Sequence, residues 1–256
     1  MKKVVVIGTG KVASHLTKAI VTAGHEVVQV VGRSEQSINR MFAEMGMTLP
    51  YTTQKSEVTQ QADLYICSVK DDAITQAIQG IDIPQQALLV HTSGSTDAAV
   101  LAPLATHYGV LYPMQTFSYG KEVDFSKVAL YIEANNDNYL NKLTLFAQTL
   151  SPNVKQVDSA MRTKVHLAAV FACNFTNHLY ALAADILQEA NLPFSDLLPL
   201  VNETTQKVHT LSPRMAQTGP AIRHDQQIIN KHLSQLNGKA KVLYQLLTES
   251  IQDDKL

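Results

Sequence analysis

The stretch Val4-Val5-Val6-Ile7-Gly8-Thr9-Gly10-Lys11-Val12-Ala13 decides the fold. Four apolar residues in a row, all β-branched, suit a strand buried on both faces. The run stops at Gly8-Thr9-Gly10, too soon for the apolar core of a signal peptide, although Met1-Lys2-Lys3 precedes it. A helical stretch follows, roughly from Val12 to Ala23, and a second apolar run spans Val27 to Val31. G-x-G-x-x-A between a strand and a helix is the fingerprint of a dinucleotide-binding βαβ unit. Gly8 permits the tight turn, Gly10 lets the backbone approach a pyrophosphate, and Ala13 permits close helix–strand packing. The helix then offers its free N–H groups to the phosphates. The predicted contacts are Gly8, Thr9, Gly10, Lys11 and Val12.

The end of the second strand selects the cofactor. A site for NAD usually carries Asp or Glu there, bonded to the ribose 2′-hydroxyl. Here the residues are Val31-Gly32-Arg33-Ser34. Arg33 can pair with a 2′-phosphate and Ser34 can donate to it, although Ser34 is also a plausible N-cap. The cofactor expected is NADP. Further along, Asp63 to Val69 reads as a strand, and Ser68 and Val69 at its end are expected to line the nicotinamide side. Asp71 or Asp72 is expected to cap the helix that follows.

Strand–helix alternation continues through Ala87 to His91, Val110 to Tyr112 and Val128 to Ile132, with a helix from Asn138 to Leu150 and a strand from Val154 to Val157. This predicts an α/β fold with a parallel sheet over residues 1–152. Residues 153–256 change character. From Ser159 to Glu189 there is no Pro or Gly, and apolar residues recur at helical spacing, so one helix of more than ~40 Å is predicted. Pro193, Pro199, Pro213 and Pro220 punctuate shorter helices, and two more run from His224 to Leu236 and from Gly238 to Ile251. The second domain is therefore smaller and all-α. Its long helix has more apolar face than one copy can cover, which predicts a homodimer.

Composition narrows the partners. Of 256 residues, 45% are hydrophobic and 17% charged, with a formal net charge of −1. No charge excess points to nucleic acid. No unbroken run of eighteen apolar residues occurs, so no membrane partner is expected. Cys67 and Cys173 lie far apart in apolar stretches and read as reduced, buried thiols of a cytoplasmic protein. Nine histidines form no H-x-x-x-H or H-E-x-x-H pair, so no metal is expected, and no G-x-S-x-G marks a hydrolase.

Two polar clusters sit at predicted strand ends. In His91-Thr92-Ser93-Gly94-Ser95, residues Ser93, Gly94 and Ser95 are candidates for holding an anionic or carbonyl oxygen of a small-molecule substrate, while His91 reads equally well as a satisfied core histidine. In Tyr112-Pro113-Met114-Gln115-Thr116-Phe117, residues Tyr112 and Gln115 are candidates for lining the same cleft.

These segments carry a resemblance. Together with Arg162 to Asn174 and Thr218 to Asp225, they resemble a family of NADP oxidoreductases with a Rossmann-like N-terminal domain and a helical C-terminal domain of unassigned function. The wider kinship takes in 6-phosphogluconate dehydrogenase, the β-hydroxyacid dehydrogenases and pyrroline-5-carboxylate reductase. The resemblance implies hydride transfer between NADP(H) and a small carbonyl or imine substrate. In the β-hydroxyacid dehydrogenases a lysine acts as the acid–base group, with an asparagine four residues later. Lys164 falls in that region, but Ala168 stands where the asparagine would be. His166, four residues from Arg162 and on its helix face, is the preferred proton donor, with Lys164 as runner-up. An imidazole with an ordinary pKa of about 6.5 suits that role at neutral pH. Asn174, eight residues on, is a candidate at about 80° around the helix. Arg223 is a candidate for a substrate carboxylate, with Asp225 either holding it or favouring a helix N-terminus. The alternative readings are a catalytically silent nucleotide sensor and an NADPH-dependent deazaflavin reductase.

Overall fold

The structure, a computed structural model, describes residues 2–253. The first strand, β1 (Lys3–Ile7), leads through the glycine turn into α1 (Lys11–Thr22), β2 (Glu26–Val31) and α2 (Glu35–Met45). Ser34 caps α2 by accepting from the Ser37 N–H, and Gly46 ends it at φ 67°, where a side chain would be strained. A short strand that the sequence pattern does not reveal, β3 (Tyr51–Thr52), follows. Then come β4 (Leu64–Cys67), α3 (Ile74–Ile78), β5 (Leu88–His91), β6 (His107–Met114), β7 (Ala129–Ala134), α4 (Asp137–Leu150) and β8 (Val154–Gln156).

All eight strands join one sheet in the order β3-β2-β1-β4-β5-β6-β7-β8. The expected α/β fold is present as a Rossmann-like sheet, parallel from β3 to β6. Alternate residues of β1 enter opposite cores: Val4 and Val6 face α1, α2 and α4, while Val5 and Ile7 face α3. That double burial is why the strand is apolar throughout. The edge departs from the all-parallel expectation: β7 pairs antiparallel with β6, and β8 follows β7. The connection from β6 to β7 carries no crossover helix, so the chain can only return alongside. β6 is also longer than its apolar run, because Gly109 lets β7 approach. A Cβ there would lie 2.0 Å from the Glu133 carbonyl oxygen.

Residues Met1–Cys173 and Asn174–Leu256 form two compact units. The predicted long helix spans the boundary. Asp158 caps its start by accepting from the Met161 N–H at 2.7 Å. It runs as α5 (Ser159–Ala169), a π-helical segment (Val170–Phe175) and α6 (Thr176–Glu189). The second unit continues with α7 (Leu198–Lys207), α8 (Gln226–Gln235) and α9 (Gly238–Asp253), all helical as expected. The 31-residue helix Ser159–Glu189 is long and apolar enough to cross a membrane by length and composition. Leu167, Phe171, Phe175, Leu179 and Ile186 on it are exposed, as is Cys173, against the expectation of a buried thiol. Cys67 is buried, and burial pushes its thiol up to about 12, leaving it unreactive.

Candidate active site

Strand order reverses between β1 and β4, and ligands of open α/β sheets bind at the carboxyl ends of the strands beside such a switch point. Gly8 sits there at φ 122°, its N–H bonded to the Val31 carbonyl at 2.8 Å. A Cβ on Gly8 would lie 2.2 Å from the Ser68 carbonyl oxygen and 3.1 Å from a Val69 methyl. Ser68 and Val69 thus form the wall of the glycine turn. A Cβ on Gly10, in contrast, would meet nothing within 4 Å, and no side chain caps the α1 N-terminus behind it. Open space before uncapped N–H groups fits a dinucleotide pyrophosphate. Arg33, at the tip of β2, is exposed and makes no hydrogen bond or ion pair among the described residues. The Ser34 oxygen accepts from Ser37, which leaves its hydroxyl proton for a phosphate.

The ends of β4 and β5 are tied together. Thr92 Oγ1 donates to Ser68 Oγ at 3.1 Å, and Ser95 Oγ donates to Asp71 Oδ2 at 2.6 Å. Asp71 therefore bridges two loops, and neither it nor Asp72 caps α3. His91 is fully buried and satisfied: Nδ1 accepts from the Ser93 N–H at 3.1 Å, and Nε2 faces the Asp97 carbonyl at 3.4 Å. Burial first, then the nearby Arg162 charge, pushes it down to about 4, so it is neutral and shapes the loop. The Ser93 hydroxyl accepts from the Ser95 and Thr96 N–H groups and donates to Thr96 Oγ1, all within the loop. The Gln115 side-chain oxygen accepts from the Thr116 N–H, leaving its amide N–H groups for other partners.

Gly94 brings the loop onto the long helix. A Cβ there would stand 2.6 Å from His166 Nδ1 and 2.8 Å from the Tyr112 ring. Tyr112, at the end of β6, hydrogen-bonds His166 Nδ1 through its hydroxyl at 3.1 Å. Burial first, with Tyr131 and Asp71 adding to it, holds the Tyr112 phenol above its usual value, so it stays protonated. His166 Nε2 has no partner among the described residues. Arg162, one helical turn earlier, is fully buried and anchors this arrangement. Its guanidinium donates to the Glu133 carboxylate, to the Thr96 carbonyl and, at 3.0 Å, to Ser159 Oγ. Lys164 is exposed, away from the Arg162–His166 face.

Of the other candidates, Asn174 and Arg223 belong to the second unit. Asn174 lies within the π-helical segment Val170–Phe175. Arg223 is exposed without a hydrogen bond or ion pair among the described residues, because Asp225 caps α8 by accepting from the Ile228 N–H at 3.2 Å. The sequence pattern marks Tyr112 as a cleft residue but not as a partner of His166, and it misses Glu133 altogether. Their one signal is a polar tip at the end of an apolar strand.

Residues 3–94 match the family described as "NADP oxidoreductase coenzyme F420-dependent", and residues 128–251 match a domain of unknown function, DUF2520. A crystal structure from Bacteroides fragilis, of a protein provisionally named an NADP oxidoreductase, is 44% identical over 98% of both chains, with a TM-score of 0.90. The chain belongs to this family of NADP oxidoreductases. The cofactor of the oxidoreductase is NADP, and the glycine turn, Arg33 and the open space before α1 are the residues that fit it. Two more distant structures share the fold. Pyrroline-5-carboxylate reductase from Streptococcus pyogenes is 14% identical over 98% of both chains, with a TM-score of 0.65. An imine reductase from Myxococcus stipitatus, in complex with NADP+, is 14% identical over 98% of this chain and 92% of its own, with a TM-score of 0.61. No curated protein matches the chain.

Proposed function

We infer that the oxidoreductase transfers a hydride between NADP(H) and a small carbonyl or imine substrate, with His166 as general acid and Tyr112 as its orienting partner. The observation that carries this reading is the 3.1 Å bond between Tyr112 and His166 Nδ1 beside Gly94. NADPH, when bound, supplies the hydride. The chain supplies position and a proton. The phenol oxygen accepts from Nδ1–H of the imidazolium and still accepts from Nδ1–H of the neutral ring left when Nε2 gives up its proton, so the bond survives the transfer. Nε2 is then the nitrogen that gives a proton to the substrate oxygen or nitrogen as the carbon gains hydride. Water restores it. Gly94, Ser95 and Gln115 are the substrate contacts in this reading. Ser93 acts through the loop it shapes.

In this reading residues 1–152 hold the cofactor and supply Gly94, Ser95 and Gln115, while residues 153–256 bring His166 to the substrate and carry a homodimer contact. The dimer rests on the exposed apolar face of the long helix. Light scattering coupled to size exclusion is expected to give twice 28.1 kDa, and a monomer overturns it. We place the chain in the cytoplasm on its two free thiols. Arg33→Ala is expected to weaken NADPH about 10-fold or more, the worth of a charge-assisted bond, and to leave NADH unchanged. Fluorescence titration reads both nucleotides, and failure of the parent protein to bind either one sinks the reading. The coenzyme F420 in the matched family's description supports a second reading, in which the acceptor is a deazaflavin. Turnover of a flavin-analogue panel, with none on carbonyls or imines, would favour it.

A further inference from the structure

Residues 115–124, between β6 and β7, lie along α1 and α2 as a strap. Ser118 offers its carbonyl to His15 Nε2 at 3.0 Å, and Glu122 pairs with Lys18 at 2.6 Å. The Gly120 N–H donates to the Glu44 carboxylate, and Phe117 lies against His15 with ring centroids 5.2 Å apart. Between these pins sits the Tyr119 ring, 5.6 Å from Lys11 Nζ and 5.5 Å from the Arg40 guanidinium. Both distances are within cation–π range. The two charges therefore stand no more than about 11 Å apart, and neither has a carboxylate partner among the described residues.

Lys11 is the wrong charge for its position. It is the first residue of α1, where the helix dipole disfavours a cation, and it borders the open space in front of Gly10. Arg40 is on α2, whose first residues follow Arg33, and helical side chains lean toward the N-terminus. Lys11 and Arg40 thus share a tyrosine from a distant loop, and Arg33 stands at the tip of β2, just before the helix that carries Arg40. A phosphate monoester adds about 1.5 to 2 negative charges at neutral pH. That extra charge is what distinguishes NADPH from NADH.

We propose that Tyr119 is a specificity-determining positioning residue. Its ring holds Lys11 and Arg40 so that, with Arg33, they favour the dinucleotide bearing the additional phosphate. The proposal rests on the assignment of NADP to the Gly8 turn and extends it to the strap.

The test is titration of the full chain with NADPH and NADH at two ionic strengths, for Tyr119→Ala, Tyr119→Phe, Arg40→Gln and Arg33→Ala. Tyr119→Ala is expected to weaken NADPH about five- to thirty-fold, the combined worth of two cation–π contacts, with little change for NADH and a shallower salt dependence. Tyr119→Phe retains the ring and keeps the NADPH preference. Should Tyr119→Ala fail to fold, Arg40→Gln reads the same effect from the other partner. Equal weakening of both nucleotides by Tyr119→Ala overturns the proposal in favour of a structural strap. So does loss of the preference in Tyr119→Phe. If Arg33→Ala abolishes the preference while the Tyr119 and Arg40 variants keep it, the proposal alone fails. If the parent shows no preference, the cofactor assignment fails with it.

Discussion

Arg162→Ala is expected to cost about 3–5 kcal/mol of stability, the range for removing one partner of a buried ion pair. Arg162 has no exposed surface, while the Glu133 side chain keeps 22% of its own, so the lower half of that range is expected. The guanidinium ties β7, the Thr96 loop and the start of the long helix together. Without it the Thr96 carbonyl loses its donor and a cavity opens under the helix. Its Nε already lacks a partner, which makes the site dependent on the remaining contacts. Lysine cannot rescue the variant, because one ammonium does not reproduce a planar fork. Urea unfolding reads the result as a lower midpoint at unchanged slope. A loss under about 1 kcal/mol would mean that the pair behaves like a surface bridge.

His166→Ala is expected to lower kcat by about 10²- to 10⁴-fold at saturating NADPH, the usual worth of a positioned general acid. NADPH binding should be unchanged, since the glycine turn and Arg33 are untouched. Tyr112→Phe removes the bond to Nδ1 but keeps the ring, so a smaller loss in kcat is expected. Lys164→Ala should leave kcat near that of the parent, because that side chain is exposed off the Arg162–His166 face. The assay is turnover of a carbonyl and imine panel. Parent-like kcat in His166→Ala, or a collapse in Lys164→Ala alone, would return the acid role to Lys164.

The two expectations differ in how far the sequence leads to them. His166 is visible as a polar residue one turn from Arg162 on an apolar helix. That it meets Tyr112 is not visible, because 54 residues separate them. Likewise, Arg162 reads only as a member of a polar stripe. Its depth follows from Glu133 standing at the end of β7, which returns antiparallel for want of a crossover helix. The π segment has no signature in Val170 to Phe175, yet it interrupts the α-helical period from which the position of Asn174 is read. Asp71 and Asp72 look like caps because acidic residues before a helix usually are, and only the Ser95 contact shows what Asp71 does instead.

Local sequence was enough for the βαβ unit, its glycine turn, the absence of an acid at the tip of β2, the capping of α2 and the helical character of the second unit. Each depends on local properties: a strand's burial, a backbone angle, a cap, a helical period. The tertiary structure alone decided the reversal of β7, the neutral and enclosed state of His91, the Tyr112–His166 pair, the Arg162 anchor and the seat of Tyr119 between Lys11 and Arg40. These depend on which strand ends become neighbours, and neighbours far apart in the chain are chosen by the packing of the sheet rather than by any residue's own preference.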